Sequence, residues 1–306
     1  MDRRSFIRTA GIGSVVMTAG NFPLMAMGNS EIVRLTILHT NDVHSRIDPF
    51  PLDGSRNEGM GGAARRAARI MDIRNKEKNV LLLDAGDILQ GTPFYNFFGG
   101  ELEFKLMSKM NYDAATIGNH DFDGGLEGLN KVMPLGNFPL LISNYNFKNT
   151  LIKGKTKPYQ VFIKDGIRIG VFGLGIELDG LVPKKLYGET QYLDPVKTAQ
   201  KYASLLRNEE KCDLVICLSH LGYKFRNEPE KICDASLAQM TSDIDIITGG
   251  HTHTFMRTPD VIKNKVGKEV IVNQAGWAGI MLGRLDVYFE RSKKEHCVTC
   301  KNTFLN

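Results

Sequence analysis

Five short apolar runs in this chain end in the same way, with a small or turn-forming residue beside a side chain able to bind a metal, and no other feature limits its fold as tightly. The first is Leu38-His39-Thr40-Asn41-Asp42-Val43-His44 and the second Leu83-Asp84-Ala85-Gly86-Asp87. Then come Ile117-Gly118-Asn119-His120-Asp121-Phe122-Asp123, Leu218-Ser219-His220-Leu221-Gly222 and Thr248-Gly249-Gly250-His251-Thr252-His253. Short apolar runs closed by turn residues read as buried strands. Side chains that follow several strands of a mostly parallel sheet meet at its carboxyl edge, where α/β proteins place their ligands. Four of the seven histidines (His44, His220, His251, His253) are thereby expected to share one site with Asp42 and Asp87. Taken singly, each is weak evidence, because a histidine after a strand is more often a hydrogen-bonded structural group. Asp84 is read in that second way, bracing its loop rather than binding metal.

Further apolar runs at 140–143, 167–172, 270–273 and 285–289 alternate with amphipathic stretches that predict helices over 63–76, 101–110, 125–133 and 195–208. Strands alternating with helices indicate an α/β fold. Pro195 suits a first helical turn and Asp194 the cap before it. With 306 residues, 42% hydrophobic and 24% charged, the chain can bury one large core, and no repeat or linker divides residues 29–306. The Pro- and Gly-rich stretch 48–62 reads either as a loop near the mouth of the site or, equally, as a solvated insertion.

The N-terminus, Asp2-Arg3-Arg4-Ser5-Phe6-Ile7-Arg8 followed by a weakly apolar stretch, resembles a twin-arginine export signal. Residues 1–28 are therefore expected to be removed, leaving a periplasmic or otherwise exported catalytic domain at 29–306. The uncharged run 9–27 contains Gly, Asn and Pro and makes a poor membrane helix, and no Cys lies near the expected cleavage point, so no stable membrane anchor is expected. Of the formal charge of +5, Arg3, Arg4 and Arg8 less Asp2 contribute +2. Such mild charge, with no dense Lys/Arg face, argues against nucleic acid as a partner. The five cysteines form no zinc motif and none has a nearby His in a nucleophile pattern. Cys212 and Cys217 read as buried thiols, whereas Cys297-Val-Thr-Cys300, read as part of a charged tail, could close a small disulfide.

The blocks Asp42-Val43-His44, Gly86-Asp87, Gly118-Asn119-His120-Asp121, Ser219-His220 and Gly249-Gly250-His251-Thr252-His253 resemble the five signature blocks of the calcineurin-like metallophosphoesterases. More narrowly, the first and third blocks, with Gln274-Ala275-Gly276 and Leu282-Gly283-Arg284, are similar to the catalytic domain of the 5'-nucleotidase family. The resemblance runs from about residue 34 to 290 and implies an α/β fold of the α-β-β-α layered sandwich type. It implies that Asp42, His44, Asp87 and His253 hold one metal and that Asp87, Asn119, His220 and His251 hold the other, with Asp87 bridging. Many nucleotidases of the family are expected to carry Gln where this chain has His253, a departure that bears on metal preference.

Two divalent ions about 3.5–4 Å apart activate water and clamp phosphoryl oxygens during in-line attack. Mixed imidazole, carboxylate and amide donors suit Zn, Mn, Fe or Co and leave the identity open. The resemblance keeps His120 out of the ligand set, pairs it with Asp123 and sets it against the substrate phosphate, where a protonated imidazole neutralises charge or protonates the leaving oxygen.

Full-length nucleotidases of the family carry a second, C-terminal domain that stacks the base, and this sequence ends at Asn306. The expectation is either action on small phosphoesters or nucleotides alone, or pairing with a separately encoded domain of that kind. Phe94, Tyr95, Phe97 and Phe98 read as core packing rather than base stacking. The function expected is hydrolysis of a phosphomonoester, foremost a 5'-nucleotide, in nucleotide catabolism. A 2',3'-cyclic nucleotide phosphodiesterase is the enzymatic alternative, and a non-catalytic accessory subunit of a split nucleotidase the alternative from another class.

Overall fold

The computed structural model describes residues 15–18, 32–290 and 295–306. The segment read as an export signal lies outside the described residues, apart from Val15–Thr18. Among the described residues lie fifteen strands, β1 to β15 in chain order. One sheet has the order β1 (Val15–Thr18), β14 (Glu295–Cys300), β13 (Met281–Glu290), β2 (Ile32–Thr40), β3 (Val80–Asp84), β4 (Ala114–Ala115), with β15 (Thr303–Phe304) also pairing β13. The other runs β11 (Asp260–Lys263), β12 (Glu269–Gln274), β10 (Ile246–Gly249), β9 (Leu214–Ser219), β7 (Ile167–Leu174), β6 (Tyr159–Lys164), and β5 (Tyr145–Asn146) and β8 (Gln191–Tyr192) form a small ribbon.

Strand alternation explains why the two sheets stack. Odd-numbered residues Val33, Leu35 and Ile37 of β2 and Leu81 and Leu83 of β3 meet Ile167, Ile169 and Val171 of β7 in one core between the sheets. The opposite face of the first sheet, with Leu38 and Leu82, packs against Ile70 and Ile73 of the helix Ala63–Lys76 and against Phe104 and Met107 of Glu101–Lys109. On the far side of the second sheet, Val215, Cys217 and Ile247 cover Ala199, Ala203 and Leu206 of the helix Pro195–Asn208 and Leu237 of Asp234–Met240. Three cores between four layers make the expected α-β-β-α sandwich. The predicted cap is present, with Lys197 N donating to Asp194 at 3.0 Å, a contact typically worth about 1 kcal/mol.

Two expectations are corrected. Glu295–Cys300 is not a tail but a strand paired along β13, and Cys297 and Cys300 are free thiols on it. Three positions apart on one strand, their side chains leave opposite faces, which disfavours a disulfide between them. The run 140–143 joins neither sheet as a full strand: Leu141 N bonds Ala115 O of one sheet, and Ser143 N bonds Gly173 O of the other.

Candidate metal centre

Parallel pairing puts the carboxyl ends of β2, β3 and β4 side by side in one sheet and those of β9 and β10 side by side in the other. The loops leaving them interlock across the sandwich. His251 N donates to both Asp42 carboxylate oxygens at 3.0 Å, Ala278 N to Asp42 O at 2.7 Å, and the His220 ring, through Nδ1, bonds Ala85 O at 2.7 Å.

Every residue expected as a ligand arrives at this edge. Ligand atoms of Asp42, His44 and His253 lie within 4.8 Å of one another, as do those of Asp87, His220 and His251. The two groups touch: His44 Nε2 is 3.9 Å from Asp42 and 3.8 Å from Asp87, and His220 Nε2 is 3.9 Å from Asp42 and 3.1 Å from Asp87. His253 Nε2 lies 3.1 Å from His44 Nε2 and 3.3 Å from Asp42, and His251 Nδ1 lies 2.9 Å from Asn119 Oδ1. Asp84, as expected, stays outside and braces its loop, accepting from Thr40 Oγ1 at 2.5 Å and Gly86 N at 2.9 Å.

The donor set fits divalent ions. With Nδ1–H of His220 given to the Ala85 carbonyl, its Nε2 presents a lone pair, and that atom is buried without an aligned hydrogen bond. A buried nitrogen and carboxylates aimed at a common point call for a cation between them.

The metal-free protein answers that demand with a proton. Burial would lower the His220 imidazole, but Asp87, Asp42 and the Ala85 carbonyl push it up to about 10. Burial would likewise raise Asp87, yet His220, His44 and His120 hold it well below the usual carboxylate range. Burial and the His220 charge bring His251 down to about 4, and burial lowers His44, so both rings are neutral at pH 7.

Backbone strain is concentrated here. Asp42, His44, Asp87, His251 and His253 have φ of 50°, 50°, 56°, 69° and 53°. They are five of the twelve non-glycine positive-φ residues described, each costing about 1–3 kcal/mol that the surrounding contacts must offset. One neighbour must be glycine for space: a Cβ at Gly118 would stand 2.1 Å from Asp87 Oδ1.

His120 is set apart. Its Nδ1 bonds Asp123 Oδ2 at 2.9 Å, its backbone N donates to Asp87 Oδ1 at 2.8 Å, and its ring lies edge-on to His44 with centroids 5.2 Å apart. Burial would lower this imidazole, but Asp87 and Asp123 raise it above its ordinary value.

Sequence reasoning passed over Asp121, whose buried carboxylate accepts from the backbone N–H groups of Asp87, Ile88, Leu89 and Gly118 at 2.8–3.1 Å. It fixes both loops that present Asp87 and Asn119. Only its place between His120 and Asp123 hinted at this. Asn41 and Gln274 do similar work on the far side: Asn41 Nδ2 donates to Asp42 at 2.6 Å, and Gln274 Nε2 to Gly250 O at 2.7 Å.

Residues 35–255 match the family described as Calcineurin-like phosphoesterase. The chain belongs to that family. This phosphoesterase is 34% identical over 276 residues to the snake venom 5'-nucleotidase of Crotalus adamanteus, a match covering 84% of this chain and 45% of the relative. It is 35% identical over 285 residues to a 5'-nucleotidase of Vibrio cholerae, covering 85% and 50%. Among solved structures, the 5'-nucleotidase precursor of Thermus thermophilus superposes with a TM-score of 0.78 at 31% identity, over 89% of this chain and 55% of that one. The phosphoesterase thus spans about half the length of the curated relatives it matches. It is a metal-dependent phosphoester hydrolase with a metallophosphoesterase fold and two candidate metal-binding triads.

Proposed function

We propose that this phosphoesterase is a 5'-nucleotidase-type phosphomonoesterase that releases phosphate. One observation carries the reading: two ligand triads share a buried edge through Asp42 and Asp87, and an ion-paired His120 stands beside them without joining either. Asp42, His44, Asp87 and His253 would hold one divalent ion, and Asp87, Asn119, His220 and His251 the other. Bound there, the ions would neutralise phosphoryl oxygens and lower the pKa of water.

The protein's own groups supply the rest. Asp123 holds the Nδ1–H edge of His120 and keeps the ring protonated, so its other nitrogen can donate. As water gives one proton to solvent and its oxygen bonds to phosphorus, the ester P–O bond breaks and His120 gives its own proton to the departing alkoxide. Asp121 and Asn41 hold the loops in place and take no part in proton transfer. The Arg3-Arg4 pattern supports action outside the cytoplasm.

The test is phosphate release from AMP, 2',3'-cyclic AMP, glucose 6-phosphate and p-nitrophenyl phosphate with Mn or Zn. Preference for AMP is expected. Opening of the cyclic diester alone would replace this reading with the phosphodiesterase, and inert protein with two ions bound would replace it with the accessory subunit.

A further inference from the structure

The helix Pro93–Phe98 fills its expected role in the core only in part: Tyr95 packs against the buried cluster and Phe94 is half-buried, while Phe97 and Phe98 face outward. Phe97 is 81% and Phe98 50% exposed. Both line a groove of about 750 Å³, together with Arg46, Asp48 and Pro49 of the loop after His44 and with Thr92 and Phe94. That volume suits a drug-sized ligand, and the lining is mostly apolar with a few polar groups, as small-molecule sites are.

Two connections tie the groove to the metal centre. Thr92 Oγ1 donates to Ser45 O at 2.8 Å, and Gly91 lies so close that a Cβ there would stand 3.0 Å from His44 Cβ. On the other side, the His253 ring stacks on Trp277 with centroids 5.8 Å apart, Trp277 meets Phe50 edge-on at 5.7 Å, and the Arg46 guanidinium lies 4.2 Å over Phe50. Thr92 and Arg46 of the groove are thus linked, through their neighbours, to the candidate ligands His44 and His253.

Resting on the phosphomonoesterase reading, we propose that this groove seats the aromatic ring of the substrate's leaving alcohol, a nucleobase in the case of a nucleotide. Phe97 and Phe98 offer ring faces, and Arg46, itself stacked on Phe50, offers a cation. The domain then carries its own selection for heteroaromatic phosphoesters.

The experiment compares kcat/KM for AMP and for ribose 5-phosphate, which differ by the base alone, and measures adenosine binding by equilibrium dialysis. Wild type is expected to favour AMP, and Phe97→Ser with Phe98→Ser to lower the AMP to ribose 5-phosphate ratio and adenosine affinity each about tenfold, within the range of base–aromatic stacking. Because both side chains are exposed, the substitutions spare the core; Arg46→Gln is a second route to the same loss. An equal ratio in wild type and variants overturns the groove and leaves the phosphomonoesterase standing. If no ester is cleaved, the phosphomonoesterase fails, and adenosine binding that is absent, or indifferent to the variants, overturns the groove separately.

Discussion

Trp277 lies nearly parallel to the imidazole of His253, 10° between planes and 5.8 Å between ring centroids. It is the chain's single tryptophan, so its emission reports on one metal triad. Adding Mn to chelator-treated protein is expected to change that emission, and His253→Ala to abolish the change. Emission unaltered while ions bind would place them elsewhere.

His120→Ala is expected to keep its bound metal and lose about 100- to 10,000-fold in turnover, the span of general acid catalysis. Metal analysis beside steady-state kinetics checks both halves, and a metal-depleted variant would make His120 a ligand. The imidazole is raised above 6.5, so the acid form dominates below that value and turnover falls as pH rises through the higher value. Stability from the His120–Asp123 pair has the same sign, complete below about 6.5 and lost as pH climbs through the folded value.

As a metal ligand, His220 would set metal and proton in competition. In the metal-free protein its pKa is about 10, so loading near neutral pH must expel a proton. Affinity should weaken about tenfold per pH unit on acidification for each proton displaced, and calorimetry in buffers of different ionisation enthalpy counts them. Zero protons released at pH 7 would show His220 to be already neutral.

Gly118→Ala forces a Cβ onto Asp87 Oδ1. A cost of about 1–3 kcal/mol in thermal or denaturant unfolding is expected for such overpacking, together with loss of metal. Unchanged metal content would mean that Asp87 tolerates displacement.

Asp121→Asn keeps the shape of the side chain but turns one carboxylate oxygen into NH2, so two of the four N–H groups lose their acceptor. Metal affinity should fall about 10- to 100-fold, as for groups that orient ligands from behind. Metal titration by equilibrium dialysis checks this, and wild-type affinity would reduce Asp121 to a loop brace.

Much of this was legible because it is local. The helices Ala63–Lys76 and Pro195–Asn208 lie where periodicity and the Asp194 cap put them. The strand ends carrying Asp42, Asp87, His220 and His251 announce themselves through apolar runs broken by Gly, Asn or Ser. What escaped depends on partners distant in sequence. Glu295–Cys300 has no apolar run and is a strand because β13 pairs with it. The two-sheet stacking rests on residues such as Ile37 and Ile169, adjacent only after folding. Asp121 is invisible as a positioning residue until four N–H groups point at it, and a short run such as 93–98 does not reveal whether its aromatic faces are covered.

The central claim is that Asp42 and Asp87 bring two triads into one dinuclear centre. Equilibrium dialysis of chelator-treated protein against Mn tests it most directly, by counting ions per chain. Two are predicted, falling to one or none in Asp87→Ala; a single ion in wild type, or two retained without Asp87, would contradict it.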